Sequence, residues 1–110
     1  MEQKILIPLY GNDVAPRFDL ATEILITQAG TQKGEDTEKI IVLPQASAEK
    51  LCHLVLTEGI GTVICSGIEE EFYHYLIWKK VVVLDSVIGP WKSALRSYQK
   101  GELTSGKILD

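Results

Sequence analysis

The chain has 110 residues, 45% hydrophobic and 24% charged, with a formal net charge of −4. That composition is close to the average for a folded globular domain and long enough for one core, so disorder and a multi-domain layout are both unexpected. No run approaches the roughly 18 consecutive apolar residues that cross a bilayer, and the densest basic pair, Lys79-Lys80, falls short of the clustered positive surface that binds a phosphate backbone.

The N-terminal Met1-Glu2-Gln3-Lys4-Ile5 leads straight into an apolar strand and lacks the pattern of a signal peptide. Two cysteines, Cys52 and Cys65, make a poor disulfide framework, so reduced thiols are expected. The expected compartment is the cytoplasm, and neither nucleic acid nor a membrane is an expected partner.

Three short strands come first. Lys4 to Tyr10 (KILIPLY) sets Ile5, Ile7 and Leu9 on one face and Leu6 on the other, Glu23 to Ala29 reads EILITQA, and Lys39 to Leu43 reads KIIVL. Pro8 removes a ladder donor from the first of them, which implies a bulge or a strand end. Gly30 to Thr37 reads as a hairpin loop. Gly11 to Thr22, between the first two strands, is rich in chemistry for a turn.

The period then becomes helical. Ala48, Leu51, Cys52 and Val55 form a stripe with Ser47 as N-cap and Gly59 as C′ residue. Thr62 to Ser66 (TVICS) is a buried strand, and Ile68, Phe72, Tyr75 and Leu76 form a second helical stripe. Glu69, Glu70 and Glu71 fall in its first turn and Lys79-Lys80 in its last, as the helix dipole favours. Val81 to Leu84 is a further buried strand, and Pro90 at N1 opens a third helix striped by Trp91, Ala94, Leu95 and Tyr98. Glu102 to Asp110 has no period and is expected as a loose tail. The order β-β-β-α-β-α-β-α predicts an α/β domain with a mixed five-stranded sheet and helices packed on it.

In open α/β sheets, ligands sit beyond the carboxyl ends of the parallel strands. Three connections meet there: Gly11 to Asp19, Ser66-Gly67-Ile68, and Asp85 to Gly89. Two of them lead into helix N-termini, which favour an anion. The candidate ligand-binding residues are Gly11, Asn12, Arg17, Phe18, Asp19, Ser66, Gly67, Ile68 and Ser86. Arg17 and Asp19 read either as an anion contact with its orienting carboxylate or as a surface ion pair worth at most about 1 kcal/mol beside the anchoring Phe18.

Cys65 reads either as a small buried hydrophobe or as a soft metal ligand, while Cys52 reads as core. His53 points about 100° away from Cys52 on its helix, so the two form no ligand pair at helical spacing, and His74, which shares a face with Glu70 and Trp78, reads as part of a surface cluster rather than a metal site. Trp78, with Tyr73 and His74, is a candidate contact patch. Gly59-Ile60-Gly61 lacks the third glycine of a dinucleotide fingerprint. No Walker loop or Gly-x-Ser-x-Gly elbow is present, and KILIPLY and TVICS carry no carboxylate, so no catalytic role is expected.

The Ile7-Pro8 strand end, Gly11-Asn12-Asp13-Val14-Ala15-Pro16-Arg17-Phe18-Asp19, Thr62-Val63-Ile64-Cys65-Ser66-Gly67-Ile68 and Tyr98-Gln99-Lys100-Gly101-Glu102-Leu103 together resemble the dinitrogenase iron–molybdenum cofactor binding family. That family includes NifX-like and NafY-like proteins and the C-terminal part of NifB. The resemblance runs over roughly Lys4 to Leu103 and implies a domain over 1–103, leaving 104–110 as a tail. It implies an RNase H-like three-layer α/β/α fold with sheet order 3-2-1-4-5, and a role in carrying an iron–sulfur or molybdenum–sulfur cluster.

Family members that handle clusters carry His-Phe-Gly where this chain has Arg17-Phe18-Asp19, and Gly-Gly where it has Ser66-Gly67. Arginine cannot ligate a metal, although it can pair with an anionic cluster. A metal role would fall to Cys65, and the alternative is a metal-independent module that binds a small anion or a protein partner.

Overall fold

The alternation of KILIPLY has its counterpart in two separate apolar layers, one on each side of the strand it forms. A computed structural model describes residues 3–29 and 38–109. In it, strand β1 (Gln3–Tyr10) sends Ile5, Ile7 and Leu9 into one core and Leu6 into the other. Ile5, Leu6 and Ile7 have no exposed surface, which makes β1 the centre of the sheet. Burying each such side chain contributes roughly 1.5–3 kcal/mol, so this strand and its neighbours carry much of the fold.

Strand β3 (Glu23–Ala29) pairs antiparallel with β1 in unbroken register from Lys4↔Gln28 to Leu9↔Glu23, and β4 (Lys39–Val42) pairs antiparallel with β3. On the other side, β5 (Thr62–Ile64) runs parallel to β1 and β6 (Val82–Leu84) parallel to β5. The order is β4-β3-β1-β5-β6. Counting only these five strands along the chain gives 3-2-1-4-5, the order implied by the resemblance. A sixth strand, the two-residue β2 (Asp13–Val14), pairs with the end of β1 and was not expected.

Helices α1 (Ala48–Thr57) and α2 (Glu70–Trp78) cover the Leu6 face, and α3 (Trp91–Gln99) covers the Ile5 and Ile7 face, which completes three α/β/α layers. Among the described residues, no helix is long and apolar enough to cross a membrane.

Several local expectations are corrected. Pro8 is neither a bulge nor a strand end, because β1 continues through it to Tyr10. In a strand, a residue's N and C=O point to the same side. The Pro8 carbonyl accepts from the Ala15 N–H at 2.8 Å, so its ring nitrogen also faces Ala15, beyond the point where pairing with β5 ends at Leu6. The bond it lacks is the return bond to Ala15, one residue past the end of the short strand Asp13–Val14.

Strand β6 is a half-covered edge rather than a buried strand, with Val82 exposed, and β4 forms the opposite edge, with Ile40 and Val42 exposed. Pro90 is the N-cap of α3, one position earlier than expected. The predicted hairpin loop Gly30 to Thr37 lies outside the described residues. The tail is not loose: Leu103 is buried, the Ile88 N–H donates to the Lys107 carbonyl, and the Leu109 N–H donates back to Ile88.

Ser47 caps α1 by accepting from the Lys50 N–H at 3.1 Å. All three helices end in a Schellman motif, with paired bonds Ile60→Val55 and Gly59→Leu56, Val81→Leu76 and Lys80→Ile77, and Glu102→Ser97 and Gly101→Tyr98. Gly59 and Gly101 supply the left-handed residue in two of them. In α2 that place is taken by Lys80, at φ 67°. Lys79 and Lys80 therefore lie at the C-cap and beyond it rather than in the last turn. An L residue in this conformation costs about 1 kcal/mol, so Lys80→Gly is expected to raise unfolding stability by about that amount. Chemical denaturation checks this directly.

Candidate functional site

The long connection after β1 begins as a tight hairpin. Gly11 and Asn12 form the two-residue turn between Tyr10 and Asp13, with Gly11 at φ 62° in the first central position, where this turn class favours glycine. The Asn12 carbonyl accepts from the Trp91 N–H at 3.0 Å, and the Val14 N–H donates to the Gly89 carbonyl at 2.9 Å. The hairpin is thereby tied to the start of α3.

A second set of bonds ties the following residues to the end of β5. The Gly67 N–H donates to the Pro16 carbonyl at 2.8 Å, and the Phe18 N–H donates to the Gly67 carbonyl at 2.7 Å. The structure thus brings two of the three predicted loops, Gly11 to Asp19 and Ser66-Gly67-Ile68, into direct contact. The approach is so close that a Cβ on Gly67 would stand 2.8 Å from the Pro16 oxygen. Because that obstacle is backbone, Gly67→Ala is expected to cost about 1–3 kcal/mol of stability, read as a lower midpoint in urea.

Phe18, a predicted ligand contact, is 1% exposed and packs in the core beneath α1. It anchors a short 3-10 turn, Phe18–Leu20, and holds Arg17 outward. Arg17 closes a two-point ion pair with Asp19, Nε to Oδ1 at 3.0 Å and Nη2 to Oδ2 at 2.7 Å. The ion-pair reading of these two residues has its counterpart here. Two of the five guanidinium N–H donors are used, and three remain for a ligand.

Beside Arg17 opens a hollow of about 580 Å3, walled by Leu9, Tyr10, Leu20, Thr22 and Glu23. A smaller one of about 300 Å3 lies across Tyr10 and Pro16, bordered by Asp13, Ser66, Ile88 and Gly89. Arg17 and Ser66 therefore serve adjoining hollows rather than a common one.

The remaining predicted residues are placed differently. Ile68 packs against the core of the α1 and α2 face. Ser86, at φ 57°, turns its hydroxyl onto Asp85 Oδ2 at 3.2 Å and lines neither hollow. Neither helix start forms an anion cradle: the first N–H of α3 is taken by Asn12, and α2 opens with Glu69, Glu70 and Glu71. The tail, which sequence reasoning left out, borders this edge. The Gly106 N–H donates to the Asp85 carbonyl, and Leu109 abuts Gly89. Its only sequence signal was the apolar pair Ile108-Leu109.

Cys65 has no exposed surface and sits in the core with Leu6, Ala15 and Phe18, so its sulfur reaches neither hollow. The reading of Cys65 as a small buried hydrophobe has its counterpart here. Burial, and secondarily the charge of Asp85, push its thiol from 9.0 up to about 12. Cys52 is raised to about 11 by burial and by Glu49. Both cysteines are free, and among the described residues no three metal-binding side chains converge.

Below pH 9.0 the Cys65 thiol is neutral whether folded or unfolded; from there toward about 12 only the unfolded chain ionises, so stability falls as pH rises. Urea unfolding at roughly pH 8 and pH 10 is expected to show a smaller alkaline loss for Cys65→Val than for the parent chain.

No family model matches the chain, and no curated protein matches it. Solved structures do match. A candidate dinitrogenase from Methanocaldococcus jannaschii is 21% identical over 94% of both chains, with a TM-score of 0.73. A candidate NifB protein from Thermotoga is 18% identical over 98% of this chain and 97% of that one, at 0.71. The apo form of the orange protein from Desulfovibrio gigas is 15% identical over 94% of this chain and 92% of that one, also at 0.73. At these identities the likeness establishes a shared fold from end to end.

Proposed function

We propose that this chain is a non-catalytic binding or carrier domain for an iron–sulfur or molybdenum–sulfur species, held at the Gly11 to Asp19 edge of the sheet. The observation that carries this reading is the open hollow beside Arg17 at the carboxyl end of β1. It lies in a fold shared with proteins described as a candidate dinitrogenase, a candidate NifB and the orange protein. The family resemblance of the sequence to NifX-like, NafY-like and NifB C-terminal proteins supports the same class of cargo.

The lining shapes how such a cargo is held. No thiol or imidazole belongs to it, so attraction comes from the spare Arg17 donors, and contact area from Tyr10 and Leu20, both well exposed. A thiometallate spreads its charge over large sulfur atoms and suits a mostly apolar wall, where Arg17 attracts it and Glu23 opposes it.

The same lining favours a second reading, a metal-independent module that recognises a small anion by charge alone. Anaerobic titration with tetrathiomolybdate separates the two, with sulfate and phosphate as controls. A visible absorbance change on the parent chain, and an affinity lowered about tenfold in Arg17→Ala, equivalent to about 1.4 kcal/mol, are the expected results. Equal thermal stabilisation by sulfate, with no spectral response to the thiometallate, would establish the second reading instead.

A further inference from the structure

Helices α1 and α2 each carry the chain back from one upward strand to the next, so they lie side by side on the Leu6 face and point the same way. Their register sets Glu49, Cys52 and His53 across from Glu71, Phe72 and Tyr75, around a hollow of about 430 Å3. One turn further along, Leu56 and Trp78 are exposed, Trp78 at 72%. Both helices therefore repeat one order at i, i+4 and i+7: Glu49, His53, Leu56 on α1, and Glu71, Tyr75, Trp78 on α2. Together they border a groove that is acidic at one end and apolar at the other.

We infer that this groove docks a short basic amphipathic helix of a partner protein, its Lys or Arg between Glu49 and Glu71 and its apolar residues on Phe72, Tyr75 and Trp78. Charge complementarity specifies that occupant. Neither Glu49 nor Glu71 has an ion-pair partner among the described residues, whose salt bridges are Lys4–Glu58, Arg17–Asp19 and Lys39–Glu58. The aromatic end already receives an ammonium, since Lys79 Nζ lies 4.6 Å from the Trp78 ring centre and 5.7 Å from that of Tyr75. The partner's cation therefore belongs at the open, acidic end.

Helices of 9 and 10 residues give a groove about 14 Å long, enough for two to three turns of a docked helix. A second copy of this chain fits less well. Its one basic helix face, Lys92, Arg96 and Lys100, belongs to α3, whose apolar residues Trp91, Ala94 and Leu95 are buried on its own sheet. The groove shares no lining residue with the hollow beside Arg17, so it stands apart from the proposed cargo site.

Fluorescence anisotropy of a labelled 12-residue Leu/Arg helical peptide on the full chain tests the inference. Binding is expected to weaken at least tenfold in Glu49→Lys/Glu71→Lys and, separately, in Trp78→Ala. It should also weaken tenfold when the peptide's arginines become glutamates, and stay unchanged in Arg17→Ala. All these residues are exposed, and circular dichroism checks that each variant keeps the fold. Equal binding of the acidic peptide overturns the proposal. Equally tight binding of spermidine, which would make this a small-cation site, does so too. So does self-association in sedimentation that the double charge variant abolishes, which would place a second copy in the groove.

Discussion

The double burial of β1 is the constraint from which the rest of the molecule follows. A strand with no exposed surface at Ile5, Leu6 and Ile7 must be covered on both faces, and that requires a helical layer above and below it. It must also be paired on both edges, antiparallel to β3 and parallel to β5. The chain meets both demands by placing α1 and α2 on one side and α3 on the other. Since β1 is longer than β5, its last residues run past the parallel pairing, and that overhang carries the Gly11-Asn12 hairpin. The candidate site is thus an extension of the central strand.

Much of this architecture was legible because it rests on periodicity. The strand alternation of KILIPLY and EILITQA, the Ser47 cap and the apolar helix stripes all have their counterparts in the structure. So does the sheet order that the family resemblance implied. The short hairpin was also legible in principle, because Gly11-Asn12 between Leu9-Tyr10 and Asp13-Val14 is a recognised turn pair. Asp13-Val14 is simply too short for alternation to show.

What stayed hidden depends on which side a backbone group faces or on contacts distant in sequence. Pro8 looks disruptive until its neighbours show that its missing donor faces Ala15 rather than a partner strand. The tail's order comes from bonds to Asp85 and Ile88, about twenty residues away in sequence. For the candidate site, the structure gives several of the named residues other roles: Phe18 anchors, Ile68 packs, Ser86 bonds to Asp85, and Cys65 is interior. In this chain the positions of Arg17 and Asp19 come from the burial of Phe18, a packing event that a list of polar residues does not reveal.

The bonds that stitch Pro16 and Phe18 to Gly67, and the hairpin to Gly89 and Trp91, bear on timing as well as on shape. A loop held at that many points has already given up its conformational freedom during folding, so a ligand arriving at the hollow meets walls that are in place. The stitched loop itself has neither to close over it nor to reopen before it leaves. Residence time is then set by the contacts of the hollow itself, and exchange is rapid whenever those contacts are few. For a domain proposed as a carrier, walls that stand in place before the cargo arrives put loading and release on the same short path.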